Sequence, residues 1–420
     1  MSELIVNTIS GLNDLSVGNT TVNSTVNSTS FSTGNTSITG DTLSVGNSTV
    51  NSTSFSTGDT SITGDTLSVG NSTVNTAITS SGITQNGLNF RVPKNYIVNP
   101  GMRISQENGT SSGTASQYYP VDQWITSISH DGTTTFQQVS SATPGGSENR
   151  IRMTVTSADT SIVAGQWAIL AQLIEGLRTA DLQWGTSNAT DVVVRFGFKG
   201  PAGTYAVAIK NGDNNRSFVR EFTISGGDAD TDTLQTVTFP GDTSGTWDKD
   251  NTTSFRLLFT FAVGSTHQTT ADAWQSGNYL GTSSTSNGIG TTSDVFEIFD
   301  VGLYADPDST GLAPRFELPH YDTDLQECMR YYELGNPGTN AIDIFYSYVT
   351  SGQNVYHYLY FSVQKRSGAS MTFTDGVNSR FPSGSPSVGT AAKEGFRVSK
   401  TPNSTGQGYF TYSWVANARM

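Results

Sequence analysis

The chain is short of several residue types at once. It has one cysteine, Cys328, in 420 residues. One thiol excludes an intrachain disulfide and a Cys-based metal site, and leaves Cys328 to be read as a small buried apolar side chain. Basic residues are scarce, 22 Lys and Arg against 35 Asp and Glu, for a net charge of −13. That balance argues against nucleic acid, which is held through phosphates by clustered Lys and Arg, and against an anionic membrane surface. No run of about 20 apolar residues is present, so no helix is expected to span or insert into a membrane. The start MSELIVNTISG carries Glu3 and no long apolar core, so no secretory leader is read there. Without an export route, the many Asn-X-Ser/Thr triplets are taken as composition rather than glycosylation sites. Overall charge is low, at 14%, and hydrophobic content is 34%. Aromatics reach 10%, well above a disordered composition. Many short strands joined by polar turns are expected, and few helices.

The first ninety residues contain no Lys, Arg, His, Pro, Trp or Tyr. Arg91, Val92, Pro93 and Lys94 then arrive together, marking a domain boundary. Before it, FSTGNTSITGDTLSVGNSTVN at 31–51 returns as FSTGDTSITGDTLSVGNSTVN at 55–75, with Asp59 in place of Asn35. The period is 24, with glycines six apart beneath it (Gly34, Gly40, Gly46; Gly58, Gly64, Gly70). Each unit offers a Gly-Asn or Gly-Asp turn pair and one or two apolar residues. A period supplies only about five apolar side chains, such as Phe31, Ile38, Leu43, Val45 and Val50. At roughly 1.5–3 kcal/mol each, these do not offset ordering 24 backbones at roughly 1–2 kcal/mol each. A lone chain should therefore be a tether, whereas several chains wound together could stack into a β shaft. The shaft is favoured, most simply as an intertwined homotrimer.

Residues 93–334 read as a two-sheet antiparallel β-sandwich. Strands are expected at 150–156, 192–198, 205–210, 255–263 and 295–304, about ten in all, with polar turns at 226–232 and 241–246. One helix is expected in DTDLQECMRYYE, capped by Asp322, with Leu325, Cys328, Met329 and Tyr332 at helical spacing. After a linker at Gly335-Asn336-Pro337-Gly338, residues 335–420 read as a second, smaller sandwich. Its first strands, IDIFYSYV and VYHYLYFSV, are expected to form a hairpin across the turn 350–354. Tyr356, Tyr358 and Tyr360 fall on one face of it; Val355, His357, Leu359 and Phe361 fall on the other. Further strands are expected at 370–373, 395–399 and 408–415.

Chemical motifs are few. There is no P-loop, His-Glu-x-x-His or Gly-x-Ser-x-Gly, and His130, His267, His320 and His357 form no ligand-spaced pair. No cofactor is expected. Asp228, Asp230 and Asp232 open like a calcium loop, but Thr233 stands where an EF-hand needs Gly, and Phe239 where it needs Glu. The three remain a weak metal candidate beside the plainer reading of a solvated loop. Glu175 and Asp181 are carboxylates that a polysaccharide-cutting enzyme could use. For sugar binding, Trp247 and Trp274 lie in polar, loop-like contexts and are the candidate exposed rings. The competing reading is that each anchors a loop on the sandwich edge. Trp124, Trp184 and Trp414 are expected in cores. The tyrosine face is read as a ligand-binding surface, as a subunit contact or as plain core packing.

Three ordered groups of residues carry a family resemblance. Tyr96-Ile97-Val98-Asn99-Pro100-Gly101-Met102-Arg103-Ile104 with Gln106, followed by Tyr119-Pro120-Val121-Asp122-Gln123-Trp124, resembles the start of a module of bacteriophage tail-fibre and virion-appendage proteins. Gln172 to Gly176, Leu182-Gln183-Trp184-Gly185 and Phe196-Gly197-Phe198 resemble its middle. Phe296 through Val301, Leu303 and Phe316-Glu317, then Leu325, Cys328, Arg330, Tyr331 and Tyr332, resemble its end. Departures stand at Gln123, where a basic residue is common, and at Gly302-Leu303. The N-terminal MSELIVNTISGLNDL resembles the starts of marine-phage fibre proteins, and YFTYSWVANARM the closing strand of fibre-tip sandwiches. The resemblance implies a jelly roll similar to carbohydrate-binding modules, carried on a fibre. The expected organisation is a virion-attachment segment (1–14), the shaft (15–92), the jelly roll (93–334) and a tip (335–420). The expected function is that of a non-enzymatic tail fibre on the virion. Its partners would be copies of itself, tail or capsid proteins at the N-terminus, and a host-surface glycan. A capsid-attached head fibre and a depolymerase tailspike are the alternatives.

Overall fold

A computed structural model describes residues 67–70, 75–79, 82–85, 88–89, 93–335 and 343–420. All of them lie in the compact unit Gly64–Met420. The expected attachment segment, most of the expected shaft and the Asn336–Gly338 part of the expected linker fall outside the described residues. Four short strands, β1 (Leu67–Gly70), β2 (Asn75–Thr79), β3 (Gly82–Gln85) and β4 (Leu88–Asn89), form an antiparallel meander in the order β1-β2-β3-β4. Their register is local, with Leu67 opposite Ile78 and Ile78 opposite Ile83. These strands pair within the chain.

The protein is mainly β. Its large sandwich begins with β5 (Trp124–Ser129), β6 (Thr133–Ser140), β7 (Asn149–Ser157) and β8 (Trp167–Glu175). After the single turn of α1 (Gly176–Thr179) come β9 (Val192–Lys199), β10 (Gly203–Asn211), β11 (Arg216–Ile224) and β12 (Thr233–Phe239). It ends with β13 (Thr253–Val263), β14 (Trp274–Ser276) and β15 (Val295–Ala305). One sheet has the order β14-β11-β10-β13-β8-β5, the other β12-β9-β15-β7-β6. The chain passes repeatedly from sheet to sheet, as in a jelly roll. Period-two alternation explains the core. Phe255, Leu257, Phe259 and Phe261 of β13 point inward with Leu170 of β8 and Val207 of β10, against Phe196, Phe198 and Phe296 of the facing sheet. Each such ring, fully buried, stabilises the fold by roughly 1.5–3 kcal/mol.

The residues that carry the family resemblance turn out to be structural latches. Asn99 and Met102 are fully buried with left-handed backbones (φ 53° and 56°), a conformation that must be held from outside. Asn99 Nδ2 donates to the carbonyls of Ile104 and Asp122, at 2.8 and 3.1 Å. Asp324 accepts from the Asn99 backbone N–H and pairs with Arg103. The Trp124 indole donates to the Asn99 carbonyl. Gln123, the departure from the pattern, is buried with φ 68°. The helix α2 (Tyr321–Met329) forms within the expected stretch but ends before Tyr332, which was expected at helical spacing and lies in a strand instead; its N-cap is His320 and no side chain caps it. Asp322 instead sits in the first turn, where a negative charge favours the helix dipole. Cys328 is buried, and burial pushes its thiol well up.

The smaller sandwich contains β16 (Tyr332–Gly335), β17 (Asp343–Val349), β18 (Val355–Tyr360) and β19 (Ser370–Ser379). It is completed by β20 (Ser387–Ala391), β21 (Gly395–Lys400) and β22 (Gly406–Asn417). The twelve-residue β22 is the spine: β16 and β17 pair with its two ends, and β19 also pairs with it. The second sheet is β18-β21-β20. The expected hairpin is therefore corrected, because β17 and β18 belong to different sheets. Their inward residues, Phe345 on β17 and His357 and Leu359 on β18, pack into one shared core from opposite sides. The turn at 350–354 carries the chain across the sandwich rather than folding a strand back on its neighbour. Phe410, Tyr412, Trp414 and Ala416 alternate inward along β22.

Polar contacts fix the segment that joins the two sandwiches, and Arg419 of the smaller one pairs with Glu107 of the larger. Arg330 places Nη2 and Nε at 2.6 and 2.8 Å from the buried Glu175 carboxylate, which also accepts from Tyr331. Lys365, fully buried, bonds Glu333 and the Met329 carbonyl. Arg366 donates to the carbonyls of Asn251 and Ala418.

Candidate functional site

Trp247 is buried (6% exposed), which corrects the expectation of an exposed ring. The physical reason is an aromatic cluster. Its ring lies 4.7 Å from both Trp184 and Phe255, and its indole N–H donates to Asp242. Trp274, on the edge strand β14, is half-buried in the same cluster, 5.3 Å from Trp184 and 5.2 Å from Phe218. Its indole N–H donates to the Pro240 carbonyl. Trp247 thus anchors a loop on the sandwich edge, and Trp274 packs its edge strand against the same cluster.

The three aspartates of the calcium-like loop do not converge on a point. Among the described residues no group of three or more His, Cys, Asp or Glu could hold a metal ion. Asp232 is engaged by both terminal nitrogens of Arg150, Asp228 accepts from Ser225, and Asp230 takes a left-handed backbone. Glu175 and Asp181 do not form an open carboxylate pair either. Glu175 is locked by Arg330, and Asp181 accepts from Tyr96 and Lys94.

The tyrosine face lies where the alternation puts it. Tyr356, Tyr358 and Tyr360 are 47%, 64% and 83% exposed. Arg397, from the neighbouring β21, lies 4.8 Å from the Tyr356 ring and 5.9 Å from the Tyr358 ring. A pocket of about 290 Å³ opens beside Tyr358 and Tyr360, with Phe396 and Glu394 in its wall.

A more elaborate site lies on the outer face of the six-stranded sheet of the large sandwich. Here a cleft of about 360 Å³ has the sheet as its floor. Cross-strand register explains the floor. Ile125 of β5 stands opposite Ala171 of β8, Ala171 opposite Leu258 of β13, and Leu258 opposite Ala208 of β10. Alanines between larger aliphatic residues leave a trough. Ser116 and Gln117 line it from one loop; His267 lines it from the turn after β13, and Asn278 and Leu280 from the loop after β14. Trp167 stands at the rim, half-buried. Its indole N–H donates to Ser127 Oγ at 3.0 Å, and its ring meets His267 edge-on at 4.9 Å. These contacts fix the ring before any ligand arrives. Lys210 and Arg256 are direct partners across β10 and β13, and both line the cleft. Burial, and then the charge of Arg256, push the Lys210 ammonium down to about 7. Burial likewise lowers Arg256.

None of these cleft residues was singled out from the sequence. A signal was available in β8. WAILAQLIE is apolar on both faces, although it lies in an antiparallel sheet where one face is ordinarily polar. Such a strand has its second face covered or facing a ligand. Lys210 and Arg256 carried no signal, since their apposition depends on register between residues far apart in the chain.

No family model matches the chain, and no curated protein matches it. Among solved structures, the chain is similar to the enzymatically active domain of bacteriophage CBA120 tailspike protein 4, at 11% identity and a TM-score of 0.28. That likeness covers 50% of this chain and 21% of the tailspike, so the chain spans about a fifth of the tailspike's length. It is also similar to TmCBM61, solved in complex with β-1,4-galactotriose, at 13% identity over 51% of this chain and 99% of that one, TM-score 0.26. A family 11 carbohydrate-binding module of Clostridium thermocellum cellulase Lic26A-Cel5E aligns at 14% identity over 47% and 96%, TM-score 0.24.

Proposed function

We propose that the chain is a fibre subunit of a bacteriophage particle, and that its large sandwich holds a host-surface glycan in the cleft of the six-stranded sheet. The cleft is the observation that carries this reading. It joins a pre-positioned indole, an apolar trough and a few convergent polar groups, the composition expected of a small-ligand site, in a volume of about 360 Å³. The Trp167 ring offers a flat apolar face to the C–H face of a pyranose. The polar ends of Asn214, Asn278 and Gln117 lie within the same cleft to meet hydroxyls. None of the side chains lining the cleft is Asp or Glu. Hydrolysis by a carboxylate pair has no reagent there, which supports holding rather than cutting.

The repeat before residue 93 and the fibre-like motifs supply the setting: a shaft, an N-terminal attachment and a distal binding face. One cleft binds weakly. Copies joined as a homotrimer, and several trimers on one particle, raise the effective concentration at the cell surface without any new contact. The test is binding of the purified chain to polysaccharide extracted from host cells. Trp167→Ala is expected to weaken it at least roughly tenfold, the loss of one hot-spot aromatic, with the melting curve still cooperative. Binding untouched by that change would remove the cleft from the reading.

A further inference from the structure

Lys210 and Arg256 set two cations side by side in the cleft, and the other groups that line it, Met420 with its terminal carboxylate included, make no ion pair with either. Lys210 is 4% exposed, and its ammonium bonds Asn278 Oδ1. Arg256 donates to the carbonyl of Gly212 at 3.1 and 3.3 Å. Neither forms an ion pair among the described residues. Asp213 acts on Arg256 through its field but makes no ion pair with it. The chain carries 35 acidic side chains, and elsewhere its buried cations are matched: Arg150 with Asp232 and Glu297, Lys365 with Glu333, Lys400 with Asp375. Placing like charges opposite each other in a sheet is unfavourable, and burying them unpaired more so. An arrangement of this kind is stabilised when a ligand brings the missing negative charge.

We infer that the cleft selects an acidic glycan, its carboxylate or sulfate group received between Lys210 and Arg256. This rests on the glycan-binding reading of the same cleft and specifies the substrate class. Arg256 supplies a planar fork suited to two anionic oxygens, and Lys210 a compact charge beside it. The apolar trough and Trp167 hold the sugar ring, and the pair of cations sets its register.

Titration behaviour adds a second readout. The groups facing Lys210 are Arg256 from β13, Ser217 from β11 and Asn278 from the adjoining loop, with His267 bonded to the Asn278 carbonyl. No carboxylate pairs with it to hold its proton, the terminal one of Met420 in the cleft lining included. An anion binds the ammonium form, which the free chain loses as pH rises through about 7. Affinity for an acidic sugar should therefore fall from pH 6 to pH 9.

The experiment is calorimetric titration of the whole chain with trigalacturonate, with a sulfated galactan tetrasaccharide, and with neutral galactotriose, at pH 6 and pH 9. At least one acidic probe is expected to bind roughly tenfold or more tighter than galactotriose at pH 6, as charge-assisted hydrogen bonds allow. Which of the two does so distinguishes carboxylate from sulfate. Lys210→Met and, separately, Arg256→Gln should bring the acidic-to-neutral ratio towards one. Equal binding of acidic and neutral probes, abolished in both cases by Trp167→Ala, would overturn the acidic preference and leave the glycan-binding reading standing. Binding of none of the probes, together with failure of host polysaccharide to bind, would overturn both.

Discussion

Trp247→Ala is expected to cost about 3–5 kcal/mol of folding free energy, the usual result of deleting a large ring from a core. Its indole closes the cluster of Trp184, Phe255 and Trp274, and its N–H satisfies Asp242. A denaturant melt reads the loss. A variant with an unchanged midpoint and weakened glycan binding would restore Trp247 as a ligand-binding ring. The contrast with Trp167 is instructive. Both follow glycine at short range in sequence, in Gly165-Gln166-Trp167 and Gly245-Thr246-Trp247. One ring is sealed among other rings, and the other stands at the rim of an open trough. Polar neighbours in sequence made Trp247 look exposed. What decides exposure is which long-range partners reach the ring, and those are set by the fold. The cores expected at Trp124, Trp184 and Trp414 are found, because each sits within a strand or motif whose inward phase is locally visible.

At the scale of elements, alternation and turn chemistry carried most of the fold. The five strands expected between 150 and 304 are present with ends shifted by a residue or two, as are those expected at 395–399 and 408–415, while the strand expected at 370–373 runs on to Ser379. β20 was not foreseen, since Ser387–Ala391 is short and carries Gly389 in place of a second apolar residue. Pairing partners were less legible. IDIFYSYV, a turn and VYHYLYFSV look like a hairpin because adjacent strands often pair. Both strands are instead drawn to opposite sheets because each has one apolar face, and a two-sheet sandwich buries both faces against one another. A cross-link separates the two arrangements. Tyr346 stands directly opposite Tyr409 on β22, so Tyr346→Cys with Tyr409→Cys should oxidise to a disulfide. Tyr346→Cys with Tyr358→Cys, the pair that a hairpin across the 350–354 turn would set opposite each other, should not. Efficient closure of the second pair would favour the hairpin. Cys328 is buried and would not compete.

For the whole molecule, composition excluded much and the resemblance supplied the rest. A charge of −13 with few helix formers left β architecture and a non-nucleic-acid partner. The motif residues proved to be the latches that join the start of the large sandwich to its end, which is why they were visible in sequence while the cleft was not. Latches need particular residue types at fixed places; a trough needs only small residues in register. The low apolar content of the repeat is the reason to propose partner chains. Deleting residues 15–92 is expected to lower the oligomeric state and the thermal midpoint, read by light scattering with calorimetry. An unchanged assembly would remove the shaft. Contact of the N-terminus with the capsid shell, in a reconstruction of the particle, would replace the tail fibre by a head fibre.

The central claim is that the cleft of the six-stranded sheet holds glycan. Its most direct test is a crystal structure of the whole chain grown with an oligosaccharide from the host surface. The account predicts a sugar ring against the Trp167 indole, with an anionic group within hydrogen-bonding reach of Lys210 and Arg256. Sugar bound along Tyr356, Tyr358 and Tyr360 with the cleft empty would contradict it.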